Sequence, residues 1–225
     1  ISSASTCQTG TSHAVFVDDF SGYGANLYSQ NTGNIWMSPS NTFDFVLGSG
    51  YRPTSSPAEV FLNSPPKFGG SASVVITVRS SLDNSGGPSL QKMSVGFSQQ
   101  ISSGSKSEGC YVNLGNGSST IGAESGNAAN SLFPAGVNSG LPVSLGGTAY
   151  YDFVCTMTAD RQSVPNHLEI KNEVYNDSGA LLISSTNTIS SGSCILDGSC
   201  ANFFMGSYGT GFSGGISKIS IQKIE

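Results

Sequence analysis

Only 10% of the 225 residues are charged, against about 25% in an ordinary soluble domain, and 29 are glycine, so the surface has to be built mainly from Ser, Thr, Asn, Gln and Gly. The net charge of −5 includes nine Lys plus Arg scattered singly, which leaves no basic stripe for a phosphate backbone and excludes nucleic acid as a partner. Apolar residues make up 37% of the chain, enough for a packed core, but no run of them is long enough to span a bilayer.

Ile1 to Ser12 is rich in Ser and Thr and reads as an extended N-terminal arm, with residues 13–225 forming a single domain. No initiating Met or signal sequence opens the chain, the expected form of a mature protein whose leader was removed. Ala14 to Phe20 is the first predicted strand, and the lone Trp36 follows an Asn/Gly stretch and is expected in the core. Phe43 to Leu47, Ala58 to Leu62, Val74 to Arg79, Met93 to Gln99 and Cys110 to Leu114 read as further strands separated by Gly/Pro/Ser/Asn turns. Gly115 to Thr120 is expected to turn, and Ile121 to Gly147 to form long loops with one or two short strands.

From Tyr151 the pattern sharpens. Tyr151, Phe153, Cys155 and Met157 alternate with Asp152, Val154, Thr156 and Thr158, the two-residue period of a strand with one buried face. After a polar run ending at Pro165, Leu168, Ile170, Asn172 and Val174 alternate with Glu169, Lys171, Glu173 and Tyr175. Asn176 to Gly179 then turns the chain into Ala180 to Ser185, so three strands form an antiparallel meander. Phe203 to Tyr208 and Ile216 to Ile224 close the chain, and no stretch keeps a helical period. The expected fold class is all-β, an antiparallel β-sandwich of jelly-roll type with almost no helix.

Five cysteines in so polar a chain favour an oxidising compartment. Cys194 and Cys200 bracket a loop short enough to be closed by a disulfide, and Cys110 is expected to pair with Cys155 across neighbouring strands. Cys7 is left over as a free thiol or a handle for another chain. Asn116 and Asn176 match the glycosylation sequon, both at predicted turns.

Val17 to Gly22 followed by Trp36, Lys67 to Gly70 running into Val74 to Arg79, and Phe204 to Tyr208 running on to Gly214-Gly215-Ile216 resemble the concanavalin A-like (laminin G-like) jelly-roll domains. The resemblance spans most of the chain and implies a lectin or glucanase fold. Some relatives carry a calcium ion between their terminal strands, and Asp18 and Asp19 are the candidate ligands here. Where relatives have an acidic or Asn pair after the final Gly-Ile, however, this chain has Ser217 and Lys218. Glycosidases of the family place two Glu on one strand face around an Asp, which nominates Glu169 and Glu173 as catalytic candidates, with Lys171 standing where the Asp would be. The plainer reading of those charges is a solvated strand face with alternating signs.

Aromatic side chains beside Gly-rich turns are the expected sugar platforms, because C–H faces of a sugar stack on rings while amides and hydroxyls bind its hydroxyls. Tyr208 and Phe212 in Gly206 to Phe212, with Tyr51 and Tyr111, are the candidates. His13 and His167 are far apart and lack a nucleophile-elbow signature, so no Ser/His/Asp set is nominated. The function expected is non-catalytic carbohydrate binding or adhesion by a secreted or cell-surface domain. A self-associating subunit of an extracellular fibre or surface layer, and a glycoside hydrolase or lyase using Glu169 and Glu173, are the alternatives.

Overall fold

Strand alternation runs through nearly every segment of the chain, and the computed structural model pairs those strands edge to edge. It describes residues 12–23, 33–37, 45–47, 51–53, 58–65, 73–81, 91–100, 106–115, 118–126, 139–140, 150–160, 167–190, 192–208 and 215–224. The strands are β1 (Ser12–Asp18), β2 (Trp36–Met37), β3 (Phe45–Leu47), β4 (Tyr51–Pro53), β5 (Ala58–Leu62), β6 (Ser73–Ser81), β7 (Gln91–Ser98) and β8 (Ser107–Gly115). They continue as β9 (Ser118–Gly126), β10 (Ser139–Gly140), β11 (Tyr150–Asp160), β12 (His167–Asn176), β13 (Leu181–Ile189), β14 (Asn202–Tyr208) and β15 (Ile216–Ile224). Among the described residues there is no helix long and apolar enough to cross a membrane.

One sheet has the order β13-β12-β11-β6-β15-β4-β3, with β1 also on β15, and the other β10-β9-β8-β7-β14-β5-β2. Every described pairing is antiparallel. The two layers form a β-sandwich whose inner rows meet in one apolar core. From the first sheet come Val74, Ile76, Val78, Phe153, Met157, Leu168, Ile170, Val174, Ile219 and Ile221; the second answers with Val60, Leu62, Met93, Val95, Phe97, Val112 and Phe203. The meander β11-β12-β13 is as expected, and β5 and β15 occupy the segments expected.

One expectation is met only in part. Gly115 to Thr120, read as a turn, and the stretch after it, read as long loops with one or two short strands, hold the two-residue β10 and also the nine-residue β9, which begins inside the expected turn and pairs along its length with β8. Its Ser, Thr, Gly and Ala content hides the alternation, and only neighbouring strands supply the missing preference.

Two polar devices tie the layers together. Cys110 of β8 and Cys155 of β11 form a disulfide, as the sequence predicts, but they lie on opposite sheets rather than on neighbouring strands. Beside it, Asn172, registered with Cys155 and buried, donates its amide to the carbonyls of Tyr111 (2.7 Å) and Gly122 (3.2 Å). A buried amide left unpaired would cost about 1–3 kcal/mol, so these bonds fix the inter-sheet register as well as satisfying the side chain. Elsewhere, Gly96 and Gly109 face each other across β7 and β8, where a Cβ on either would come within 2.2 Å of a backbone carbonyl oxygen. No other residue fits that pair without moving the strands.

Candidate functional site

The outer row of β12 carries the Glu pair. Glu169 is exposed, Glu173 is largely covered, and between them the Lys171 ammonium meets Glu173 at 2.7 Å. Glu173 holds that ammonium charged, raising its pKa above the ordinary lysine value against the opposing effect of burial. Burial, and then the charge of Glu173, push the Tyr175 phenol upward too. Register with β11 is unbroken from His167 to Asn176, and with β13 from Leu168 to Val174, so no bulge brings Glu169 and Glu173 together. Their Cα atoms are therefore about 13 Å apart, on four residues of about 3.3 Å rise, with a lysine between. Glycosidase carboxyls stand about 5–9.5 Å apart across the scissile bond. The arrangement is a charge ladder along a strand.

A second ladder, which sequence reasoning missed, crosses the end of that face. Arg79 Nη1 lies 3.2 Å from both Asp152 oxygens, and Nη2 bonds Asp177. The guanidinium carbon sits 5.4 Å from the centre of the Tyr150 ring. Separations of 73 and 98 residues gave no local signal for this cluster.

The two aspartates offered for calcium have different fates. Asp18 points inward and is buried, one carboxylate oxygen accepting from Phe20 N–H (2.7 Å) and the other from the Tyr23 hydroxyl (2.7 Å) and Trp36 Nε1 (2.8 Å). This corrects its expected role: Asp18 is the hub that seats the tryptophan. Trp36 is fully buried, packed against Phe16, Phe20 and Phe203. Phe20 completes the hub with a left-handed φ of +56°, a conformation rare for so bulky a residue and held here by its bond to Asp18. Asp19 is exposed and caps Ser21 N–H at 2.9 Å; bonds from Ser21 hold its carboxyl below the ordinary range. Among the described residues, no three His, Cys, Asp or Glu gather where they could hold a metal ion.

Of the aromatic candidates, Tyr111 is 3% exposed and offers no open ring face. Its side chain projects from the side of β8 opposite Cys110 and Val112, and this removes it as a platform. The backbones of Tyr51 and Tyr208 lie in β4 and β14, while their side chains, and the whole of Phe212, fall outside the described residues. Cys7 and Asn116 also fall outside them. The carbonyl oxygen of the Asn176 side chain accepts from Ser178 N–H, the Ser178 hydroxyl and Ala180 N–H, shaping the β12–β13 turn.

The Cys194–Cys200 disulfide forms as expected. Its loop is held by a residue not singled out from the sequence: Glu108, fully buried on β8, accepts from the Ser193 hydroxyl (2.7 Å), Cys194 N–H (2.8 Å) and Ile195 N–H (3.1 Å). A groove of about 230 Å³ opens between β1 and the β2–β5 pair, lined by Phe16, Asn34, Ile35, Leu62, Asn63 and Ser64.

No protein-family model and no curated protein matches the chain. Among solved structures, the CBM2 module of the evolved Dit of Lactobacillus casei phage J-1 superposes with a TM-score of 0.53 at 12% identity, covering 96% of this chain and 97% of that one. Lectin II from Ulex europaeus gives 0.52 at 14% identity, covering 95% and 97%. At such identities the likeness is one of architecture, and over nearly its whole length this chain has the antiparallel sandwich fold of those two proteins.

Proposed function

We propose that the chain is a carbohydrate-binding domain of concanavalin A-like type that works outside the cell without catalysis. The observation that carries this reading is the end-to-end likeness in fold to lectin II and to the CBM2 module. A surface with few charges supports it, since neutral glycans are recognised by hydroxyls, amides and ring faces rather than by ion pairs. Two disulfides suit an oxidising, extracellular compartment. The charge ladder on β12 favours holding a partner over cleaving one.

Recognition would be shallow and made of several contacts, weak at each site and strengthened by display in several copies. Tyr208 and Phe212 remain the proposed stacking residues, and calcium the proposed cofactor. A glycan array probed with the purified chain, with and without chelator, tests the reading. Neutral glycans are expected to bind, and a blank array refutes it. Loss of array binding in Tyr208→Ala would locate the stack at the end of β14, and unchanged binding would move it elsewhere.

A further inference from the structure

We infer that the groove between β1 and the β2–β5 pair is a binding site for a single pyranose-sized ring of a neutral glycan, an assignment that rests on the carbohydrate-binding reading above. The groove's volume of about 230 Å³ lies below the ~300–1,000 Å³ of drug-sized sites, which suits one ring and not a long chain. Its lining divides evenly by chemistry. Phe16, Ile35 and Leu62 supply an apolar surface for C–H groups, and Asn34, Asn63 and Ser64 supply two amides and a hydroxyl for ligand hydroxyls. Among the described residues no charged side chain lines it, which favours a neutral sugar over an acidic one.

The walls are built before any ligand arrives. Trp36 and Met37 pair with Leu62 and Phe61, and Asn63 N–H donates to the Ile35 carbonyl at 2.9 Å, joining the two polar lips. Behind the floor, the Phe16 ring meets Trp36 edge-on at 5.8 Å, and Trp36 is itself held by Asp18. Binding therefore pays little ordering cost in the floor. Gly33 and Asn34 have successive left-handed φ values of +62° and +65°. For Asn such a conformation is tolerated but uncommon, and it presents the Asn34 amide at the groove. Asn34, Asn63 and Ser64 make no side-chain hydrogen bond to any described residue, which leaves their polar atoms for a ligand. Three of the four exposed large apolar residues among those described, Val15, Val17 and Ile35, lie in the segments that form this margin.

The test uses a neutral oligosaccharide selected on the array and titrated calorimetrically into the whole chain. Asn34→Gly removes one amide while keeping the left-handed backbone, and Asn63→Ala removes the other; Ser64→Ala stands in should Asn63→Ala fold poorly. Each substitution is expected to weaken binding about ten-fold, and the pair about a hundred-fold, with the thermal midpoint little changed. The emission of Trp36, the one tryptophan in the chain, should shift on saturation in the parent and not in the double variant. Glycan binding that survives the double substitution within two-fold overturns the groove assignment and leaves the carbohydrate reading standing. Tighter binding of a uronic-acid analogue than of the neutral sugar also overturns the assignment. A blank array overturns both.

Discussion

Asp18 and Glu108 are buried, and each accepts three hydrogen bonds from outside the strand ladders: from Phe20 N–H, the Tyr23 hydroxyl and the Trp36 indole N–H for the one, from the Ser193 hydroxyl, Cys194 N–H and Ile195 N–H for the other. On the outer face of the first sheet, Glu173, Asp152 and Asp177 meet Lys171 and Arg79, whose side chains are 41% and 34% exposed. The buried pair hold irregular backbone in shape, one beside the groove and one around the Cys194–Cys200 loop. The outer pairs add little to what the backbone already fixes: Lys171–Glu173 stays within β12, and Arg79 bridges β6 to its hydrogen-bonded neighbour β11 and to the β12–β13 turn. Burial decides the difference, because water competes for an exposed ion pair and cannot reach an interior carboxylate to replace a lost partner.

Glu108→Ala should sharpen the contrast most. It strands two buried N–H groups and a hydroxyl, and a loss of about 3 kcal/mol is expected in denaturant unfolding; a loss below about 1 kcal/mol would show that the loop does not depend on it. Opening the Cys194–Cys200 loop with paired Ser substitutions should cost about 2 kcal/mol, given the six-residue separation. In a Glu108→Ala background the same change should cost less, because both devices order one segment. Full additivity in that double-mutant cycle would break the idea of a shared clamp.

Asp18→Asn should cost about 2 kcal/mol, since an amide has one accepting oxygen where the carboxylate has two, and its NH2 must then face either Phe20 N–H or the Tyr23 and Trp36 donors. Trp36 emission reports the change directly. Lys171→Met, on the ladder, should change stability by less than about 1 kcal/mol and should blunt what salt dependence there is. A larger loss would mean that the ladder resembles the interior clamps after all.

The smallest effect belongs to the exposed caps. Bonds from Ser21 hold the Asp19 carboxyl below its ordinary pKa, and those from Ser199 do the same for Asp197. A folded-state pKa that is depressed contributes stability above the unfolded value of about 3.9, and that contribution disappears as pH falls through the folded value. Asp19→Asn and Asp197→Asn should therefore differ from the parent chain above about pH 4 and converge with it below. Persistence of the difference in strong acid would rule out the charge as its source.

Much of this could be read in the residues because the relevant signals are local. The strict alternation from Tyr151 to Tyr175 announced β11 and β12 and sorted their side chains onto the correct faces. Ala58–Leu62 and Ile216–Ile224 were bounded by turn residues and came out as read. The start and length of β9 were not legible, since small and hydroxyl side chains carry little strand preference of their own. Tyr111 looked like a platform because a glycine-rich turn follows it within a few residues, but sequence proximity to a turn says nothing of which rings the fold covers.

By itself the sequence determined that this chain is a series of two-faced strands with an apolar side to bury and a hydroxyl-rich, weakly charged side to show water. A two-residue period is a property of consecutive residues, so folding was not needed to see it. Only the tertiary structure decided that Cys110 and Cys155 span the sheets, that Arg79 finds Asp152 and Asp177, that Glu108 closes over a distant loop, and that Phe16, Asn34 and Asn63 border one groove. Each of those contacts joins residues far apart in the chain. Its partners are chosen by strand order and layer packing, which no local pattern encodes.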